Sequence, residues 1–406
     1  MSFAELWAEL LPVGLDERTG GYRRYSWTEA DAGCRAWFAR TATKLGLRTD
    51  FDRNGNLWAW WGRPNGTSPQ AIATGSHLDS VPDGGAYDGP LGIVSAFAAI
   101  SQLREQGFQP ARPIGVAAFT EEEGARFGVA CLGSRLATGA IDPGAARQLR
   151  DRGGVSLAEA MRSAGRDASL LGPDDELLTG LGVYVELHIE QGSALAGLGA
   201  PIGVAEGIWP HGRWRLDFTG RADHAGTTRL ADRRDPMLPY ALTVLAARAA
   251  AASHDALATF GRVIAEPGGA NAISSVVHAW LDARAPGEAA LDQLVSDIWV
   301  AAQSAASQHG VGIEQRRESV TPLVSFDQRL RDRLVGVLGA AGFNAPVLPT
   351  GAGHDAGVLA ARIPTAMLFV RNPSGVSHSP AEHAEAPDCE DGVAALAAVL
   401  ADLAGA

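Results

Sequence analysis

The chain has few cysteines, since Cys34, Cys131 and Cys389 are the only three among 406 residues. An odd number of widely spaced cysteines does not make the disulfide framework of a secreted domain and is typical of a reducing cytosol. We therefore expect a cytoplasmic protein in which these thiols are buried and chemically inert.

Targeting and membrane-spanning signals are also lacking. The N-terminus has no basic region followed by an apolar core and a small-residue cleavage site, so no secretory signal peptide is predicted. No apolar run reaches the roughly 20 residues that a membrane helix needs. Phe3, Leu6, Trp7, Leu10 and Leu11 instead recur at helical spacing, which predicts a short amphipathic helix packed on the body of the protein.

Basic clusters are absent from the sequence as well. The formal net charge is −12, and no group of Lys and Arg supplies the positive face that a phosphate backbone requires, which argues against a nucleic-acid partner. The 46% hydrophobic and 20% charged content is ordinary for a globular protein, and the length allows two domains.

Short apolar runs alternate with helical patterns at both ends of the chain. The predicted strands are Ala71–Thr74, Ile114–Phe119, Val183–Leu187 and Thr365–Val370, and the predicted helices are Leu91–Gln106 and Asp391–Leu403. This alternation of strands and helices indicates an α/β layer architecture.

The pattern changes between about residues 210 and 322. This segment contains two half-exposed strands and two Ala-rich helices, predicted at Arg213–Thr219, Val276–Ala283, Pro236–Ala252 and Leu291–His309. We therefore predict that 210–322 is a small α+β domain inserted into an α/β domain formed by 1–209 and 323–406. Residues 135–182 are predicted to be helical and turn-rich, and the sequence assigns them no chemistry.

Acidic and imidazole side chains follow the predicted strands. They stand in GSHLDS, GGAYDG, TEEEG, ELHIEQG, GAGHDA and GVSHSP. Ligands of open α/β sheets bind outside the carboxyl ends of the strands, so these groups are expected to share one crevice, where they could bind metal. On an extended chain Asp79 would reach the second nitrogen of His77 and fix its tautomer. The alternatives also stay open: Asp88 as a helix cap, and TEEEG as a solvated loop.

Six ordered stretches resemble the hydantoinase/carbamoylase branch of the M20 metallopeptidase family. They are TGSHLDSVPDGGAYDGPLG, FTEEEGARFG, ELHIEQG, DHAGTT, GAGHDA and GVSHSPAEH, from about residue 70 to 385. The branch includes N-carbamoyl-L-amino-acid hydrolases, allantoate amidohydrolases and ureidoglycolate amidohydrolases. The resemblance implies a zinc-peptidase-like α/β/α catalytic domain with an inserted α+β lid and dimerisation domain, and a homodimer joined through the lid.

The resemblance also implies a site for two divalent ions, zinc or manganese, with cobalt or nickel as alternatives. The implied ligands are His77 and His188 for one ion, Glu123 and His378 for the other, and Asp88 as the bridge. Glu122 would be the general base that takes a proton from the attacking water. A histidine at position 188, where related peptidases have a carboxylate, is similar to the amidohydrolase branch.

Further residues are implied for the substrate. His224 is similar to the lid histidine that enters the partner subunit's active site and stabilises the oxyanion. Asn271 and Arg284 match lid positions that hold the substrate's carboxylate, and Gln191 and His354 complete the pocket. From the residues alone, Asn271 is a turn residue and Arg284 a surface strand residue, and these alternatives stay open.

The implied reaction is hydrolysis of the ureido C–N bond of a small N-carbamoyl-L-amino acid, with neither nucleic acid nor membrane as partner. Allantoate and ureidoglycolate are the alternative substrates, ahead of N-formyl or N-acyl amino acids and dipeptides. Two departures from the family pattern matter: NAISS at 271–275 lacks a proline, and HGR at 211–213 argues against allantoate in particular. A non-catalytic binding protein would have lost a ligand or the base, and each implied residue is present.

Overall fold

The computed structural model describes residues 1–62 and 70–405. Its helices are α1 (Phe3–Leu10), α2 (Glu29–Lys44), α3 (Pro90–Glu105), α4 (Leu132–Thr138), α5 (Pro143–Gln148), α6 (Leu157–Ser163), α7 (Asp175–Thr179), α8 (Ala194–Leu198), α9 (Met237–Ser253), α10 (Glu288–Gln308), α11 (Gln328–Ala340), α12 (Asp355–Leu359) and α13 (Ala386–Gly405). Its strands are β1 (Leu15–Asp16), β2 (Gly21–Tyr22), β3 (Arg48–Phe51), β4 (Leu57–Trp61), β5 (Ala71–His77), β6 (Ile114–Phe119), β7 (Leu181–Ile189), β8 (Ile202–Ile208), β9 (His211–Thr219), β10 (Asp223–His224), β11 (Leu257–Glu266), β12 (Ala272–Ile273), β13 (Val276–Arg284), β14 (Gly312–Thr321), β15 (Val324–Ser325), β16 (Val347–Thr350) and β17 (Thr365–Val370).

The chain divides into two compact units. The first consists of Met1–Gly207 together with Ser325–Ala406, and the second is Ile208–Val324. Each unit has an apolar core of its own. Among the described residues, none of the helices combines the length and the apolar character that crossing a bilayer demands.

A mixed sheet of nine strands forms the centre of the first unit. Its order is β15-β8-β17-β7-β5-β6-β4-β3, with β16 paired to β8. The four strands β17, β7, β5 and β6 are parallel, and β8 and β4 flank them in antiparallel pairing. Every residue of β5 and β6 is buried, as in parallel sheets covered on both faces. The carboxyl ends of four neighbouring strands therefore meet at one edge.

The predicted strands are confirmed, and two of them are longer than expected. β6 and β17 have the predicted bounds, whereas β5 continues to His77 and β7 to Ile189. The Gly-Ser pair after Thr74 indicated a strand end, but it lies inside the sheet. Gly75 has φ 138°, and an added Cβ would overlap the carbonyl oxygen of Ala117, so only glycine permits this close pairing. His77 is thereby fixed as the last strand residue.

Alternate residues of the parallel strands face a large apolar core. The core joins the sheet to α1, α2, α3, α11 and α13. Ile72, Val116, Leu187 and Leu368 contribute from the sheet. Burial of each such side chain stabilises the fold by about 1.5–3 kcal/mol. This core holds the strands whose ends carry the polar residues.

The N-terminal amphipathic helix is confirmed as α1. Phe3, Leu6 and Leu10 are buried, and the Ser2 side chain accepts the Glu5 N–H while the Glu5 carboxylate accepts the Ser2 N–H. Leu11 follows the last helical residue and is exposed, so its assignment to the apolar face was wrong. Leu11 is the C-cap of the helix.

The second unit is an antiparallel sheet with two helices. The strand order is β11-β13-β9-β14, and α9 and α10 pack on each other and on the sheet. β13 alternates between buried and half-buried residues along its whole length, which confirms the predicted two-residue period. β10 and β12 form a separate two-stranded pair.

Candidate active site

Three imidazoles surround the carboxylate of Asp88. The Nε2 atoms of His188 and His77 lie 3.2 and 3.5 Å from its Oδ1, and the Nε2 atom of His378 lies 3.4 Å from its Oδ2. His77 ends β5, His188 lies near the end of β7, and His378 follows β17. Residues from three distant stretches thus meet at the strand ends, where the sequence places them.

Two glutamates extend this cluster. Glu123 Oε2 lies 3.6 Å from His378 Nε2, and Glu122 Oε2 lies 3.7 Å from His77 Nε2. Two groups of potential metal ligands result, His77–Asp88–His188 and Asp88–Glu123–His378, each with its ligand atoms within 4.8 Å of one another. Asp88 belongs to both groups, so its two oxygens could bridge a pair of cations.

The ligand atoms of these groups fit divalent cations. His77 Nε2, His188 Nε2 and Glu123 Oε1 are buried and have no hydrogen-bond partner among the described residues. A buried polar atom that is left without a partner ordinarily lowers the stability of the fold by about 1–3 kcal/mol. The opposite nitrogens, Nδ1 of His77 and of His188, donate to the carbonyl oxygens of Asp79 at 3.1 Å and Ile189 at 2.9 Å. This fixes the tautomer that directs a lone pair from Nε2 towards an ion.

The electrostatics of the protein alone also favour a cation. Burial, followed by the charge of Asp88, raises the pKa of Glu123 to about 7. Burial likewise raises the pKa of Glu122 well above its ordinary value, with a further increase from Asp355. Burial opposes ionisation of Asp88, but the three imidazoles around it hold its pKa well below the usual range. Bound cations would reverse the effect on the glutamates and keep them ionised.

The three consecutive glutamates have different partners. Glu121 is fully buried, and its Oε1 accepts hydrogen bonds from two backbone N–H groups at 2.6 and 2.9 Å. Glu122 and Glu123 face the imidazoles instead. The run is therefore neither a solvated loop nor a set of three equivalent ligands.

Asp79 contacts the second ring nitrogen of His77, as the sequence indicates, and also holds the backbone of the glutamate run. Its carbonyl oxygen accepts the His77 Nδ1 hydrogen bond, and its carboxylate Oδ1 lies 3.5 Å from the same nitrogen. The carboxylate accepts the backbone N–H groups of Glu122 and Glu123 at 3.2 and 3.1 Å. The strand ends at His77, and the shorter of the two contacts with the ring nitrogen is made by the Asp79 carbonyl oxygen.

Asp88 is not a helix cap. Helix α3 begins at Pro90, and its N-cap is Gly89. Gly89 has φ 85°, and an added Cβ would overlap the imidazole of His77. Glycine at this position lets the preceding residue approach the imidazole.

Left-handed backbone conformations of non-glycine residues occur around the site. Glu121, Cys131 and His378 have φ of 57°, 53° and 55°. Each such residue costs about 1–2 kcal/mol, and residues of this kind concentrate at functional sites. The surrounding contacts must hold these three residues in place.

Cys131 is buried, as predicted, but its contact was not foreseen. Its thiol donates a hydrogen bond to Glu122 Oε1 at 3.2 Å. Burial raises the pKa of the Cys131 thiol well above its ordinary value, so the thiol stays protonated and remains a donor. Nothing in the spacing of the cysteines indicated this pairing.

His354 lies beside the metal-ligand groups. Its ring packs edge-on against that of His188 with 4.5 Å between centroids, and burial, then the charge of His188, lowers its pKa well below the usual value. Glu186, His188 and His354 form a third ligand group. Both oxygens of Glu186 already accept hydrogen bonds, from the Ser76 hydroxyl at 2.7 Å and the Ala356 N–H at 2.9 Å, so this group suits an ion less well.

The side chain of Gln191 is hydrogen-bonded to the carboxylate of Asp88. Its Nε2 donates to Asp88 Oδ2 at 2.9 Å and to Ser377 Oγ at 3.2 Å. Its Oε1 is buried and has no hydrogen-bond partner within the part of the chain that the structure describes. An acceptor is therefore available next to the ligand cluster.

His224 and Asn271 lie together in the second unit. The backbone N–H of Ala225 donates to the Asn271 carbonyl at 3.0 Å, where β10 pairs with β12. Both side chains are exposed. His224 Nδ1 accepts two backbone N–H groups at 2.9 and 3.2 Å, so the ring proton is on Nε2 and makes that atom a donor.

Arg284 lies apart from these two residues. It is the last residue of the nine-residue strand β13, which is about 25 Å long, whereas Asn271 lies before the first residue of that strand. The guanidinium donates to both carboxylate oxygens of Asp282, at 2.8 and 3.3 Å. A single copy of this unit therefore does not bring Arg284 beside His224.

Comparisons with known proteins agree with this geometry. The pattern of the peptidase family M20/M25/M40 matches residues 73–402. The N-carbamoyl-L-amino acid amidohydrolase of Geobacillus stearothermophilus is 37% identical over 399 residues, 96% of each chain. The allantoate amidohydrolase of Bacillus subtilis (strain 168) is 34% identical over 390 residues, 95% of this chain and 93% of that one. The crystal structure of a hydantoinase/carbamoylase family amidase from Burkholderia multivorans matches with a TM-score of 0.87 at 28% identity, covering 99% of this chain and 98% of that one.

The chain belongs to peptidase family M20/M25/M40, with an α/β fold and clustered groups able to bind metal ions. The resemblance to the hydantoinase/carbamoylase branch is confirmed, and the protein is a hydrolase of C–N bonds.

Proposed function

We propose that the protein is a binuclear metal amidohydrolase that cleaves the ureido C–N bond of small N-carbamoyl-L-amino acids. One observation carries this proposal: two sets of metal-ligand atoms share the carboxylate of Asp88, with the carboxylate of Glu122 beside them. The name of the relative at 37% identity supports the substrate class.

The ligand set suits zinc or manganese, the metals that imidazole and carboxylate groups bind. His77 and His188 would hold one ion, Glu123 and His378 would hold the other, and Asp88 would be shared by both. Ions held there would supply a lowered pKa of water and polarisation of the scissile carbonyl.

Glu122 acts first as the general base and then as the general acid. The Cys131 thiol holds its Oε1, and its Oε2 points towards His77, which leaves Oε2 to take a proton from the attacking water. The same atom then delivers this proton to the leaving nitrogen as the C–N bond breaks. One water is consumed for each ureido group, and the amino acid, ammonia and carbon dioxide are released.

Several polar groups are proposed to hold the substrate. Gln191 Oε1 accepts a hydrogen bond from the ureido nitrogen, and the neutral His354 packs beside it. His224 donates through Nε2 to the developing oxyanion, a contact worth about 3 kcal/mol. Arg284 binds the substrate's carboxylate, together with Asn271 of the partner subunit, which lies beside His224.

Two copies of the chain complete each site. Arg284 ends β13, whereas His224 follows the end of β9 that pairs with the opposite end of β13, so one copy cannot present both to a substrate of amino-acid size. We infer a homodimer joined through the second unit, in which the partner subunit's His224 acts at each active site. In closed dimers with twofold symmetry this exchange is reciprocal.

Helix α9 offers the surface for this dimer. Leu238, Leu242 and Leu245 are exposed at helical spacing and form one apolar face, whereas Thr243 and Ala247 on the other face are buried in the unit's core. Contiguous exposed apolar faces mark protein interfaces. The leucine face of α9 therefore supports association of two copies.

Replacing Leu242 and Leu245 together by Glu should convert the dimer to monomers. Two buried charges at an apolar interface cost more than the association gains, and light scattering coupled to gel filtration measures the mass. Activity should fall with the mass, because each site loses the partner subunit's His224. Leu198→Glu, at an equally exposed leucine of α8 in the first unit, is the control and should stay dimeric. A double variant that remains a dimer would place the interface elsewhere.

Allantoate is the second candidate substrate. It also presents a carboxylate beside ureido groups, and the 34% identical relative is named for it. HGR at 211–213 departs from the stretch found in some allantoate enzymes, which places allantoate behind the N-carbamoyl amino acids.

A substrate panel tests the proposed function. Protein stripped of metal and reloaded with Mn²⁺ or Zn²⁺ is offered N-carbamoyl-L-amino acids, N-formyl amino acids, allantoate and ureidoglycolate, and release of ammonia, formate and amine is measured. We expect the highest kcat/KM for an N-carbamoyl-L-amino acid, abolished by a chelator and restored by the metal. Turnover that survives complete metal removal, or formate release alone, would refute the proposal.

We place the protein in the cytoplasm. Cys34, Cys131 and Cys389 are free and buried. Free thiols are typical of a reducing compartment.

A further inference from the structure

Glu382 belongs to the GVSHSPAEH stretch but is in neither of the ligand groups around Asp88. Glu382 is only 5% exposed, although its side chain carries a carboxylate. Burying a carboxylate is expensive unless strong hydrogen bonds compensate. The partners of Glu382 therefore show what keeps it there.

Among the described residues, the side-chain hydrogen bonds of Glu382 join two loops. Its Oε1 accepts the backbone N–H groups of Tyr87 at 3.0 Å and Asp88 at 2.9 Å. Its Oε2 lies 3.1 Å from the hydroxyl of Ser377, the residue before His378. One carboxylate thus connects the loop of the bridging ligand to the loop of a ligand 290 positions further along the chain.

Two features indicate that this connection is built into the fold. Gly85 lies against the Glu382 carboxylate, and an added Cβ would overlap it, so glycine is required for the approach. His378 has a left-handed backbone with φ 55°, which needs outside contacts to persist. Asp88 and Ser377 lie outside the helices and strands, and Glu382 adds to the side-chain contacts that Gln191 and Ser377 make with Asp88.

We propose that Glu382 is a positioning residue that holds Asp88 and His378 at the separation a second metal ion requires. It touches neither substrate nor ion and acts through these two ligands. His77 and His188 are anchored in β5 and β7 and do not depend on it. Loss of Glu382 should therefore weaken the ion at Asp88–Glu123–His378 more than the ion at His77–Asp88–His188. This inference rests on the binuclear site of the proposed function.

Titration of metal-free protein with Mn²⁺ alone, followed by calorimetry and metal analysis, tests the proposal without any substrate. The wild type should bind two ions per chain. Glu382→Ala should retain the first and bind the second about 10- to 100-fold more weakly, the usual effect of removing a group that orients metal ligands. Glu382→Gln keeps an acceptor for the two N–H groups and should recover most of the affinity.

Two further variants complete the experiment. Glu385→Ala removes an exposed carboxylate three residues away and should bind both ions as the wild type does. If Glu382→Ala does not fold, Glu382→Asp keeps the charge but withdraws the carboxylate by one methylene, and it should show the same selective loss. A wild type that binds two ions beside a folded Glu382 variant with unchanged affinity for both would overturn the role of Glu382 alone. A wild type that binds fewer than two would overturn the binuclear site itself.

Discussion

Under the proposed mechanism, Glu122→Gln should lower kcat by about 10²- to 10⁴-fold, the range that a positioned acid–base group contributes, while the two proposed metal ions stay bound. Gln has the same shape and can keep the contact with the Cys131 thiol, but its amide cannot take a proton from water. Glu122 belongs to neither of the two ligand groups around Asp88, so the ions should be unaffected. Steady-state kinetics on an N-carbamoyl-L-amino acid and metal analysis of the same sample provide the two measurements.

The adjacent Glu121 is the matched control. Its Oε1 accepts two backbone N–H groups, a task that the oxygen of Gln can also perform. Glu121→Gln should therefore fold, bind both ions and turn over at nearly the wild-type rate. A Glu122→Gln enzyme with near-normal kcat would show that another group is the base. Loss of its metal would show that Glu122 is a ligand.

The strands of the first unit could be predicted because they are apolar runs bounded by polar residues. β6 and β17 were found with correct ends for this reason. The end of β5 was misplaced, because Gly75 and Ser76 are turn-forming residues whose burial depends on the neighbouring strand. A local pattern does not contain that neighbour.

The candidate ligands were predictable for a related reason. The ends of parallel strands meet at one edge, so polar groups that follow each strand converge there. The supporting contacts were not predictable. Glu382 reaches Asp88 across 294 positions, and the Cys131 thiol reaches Glu122 through a loop. Such pairs depend on the path of irregular segments, which neither periodicity nor composition specifies.

Because Arg284 and His224 lie apart within one copy, activity should depend on residues from both subunits of the proposed dimer. Mixed dimers of His224→Ala and Glu122→Gln subunits should be active although each parent is not. Loss of the oxyanion donor alone should cost about 10²- to 10³-fold in kcat. In the mixed dimer one site combines an intact Glu122 with the partner subunit's His224, and the other site lacks both. Heterodimers isolated through two different affinity tags should therefore recover about half of the wild-type kcat per dimer.

A dimer with both substitutions in one subunit is the matched control, because the two models of His224 predict the opposite activities for it. When both changes lie in one subunit and its partner is wild type, each site lacks one of the two groups if His224 acts across the interface, so the dimer should be nearly inactive. If His224 acts within its own subunit, this dimer keeps one intact site and half the activity, and the first mixture has none. Because the two mixtures contain the same substitutions in the same number, a difference between their rates reports only which chain supplies the imidazole to each active site.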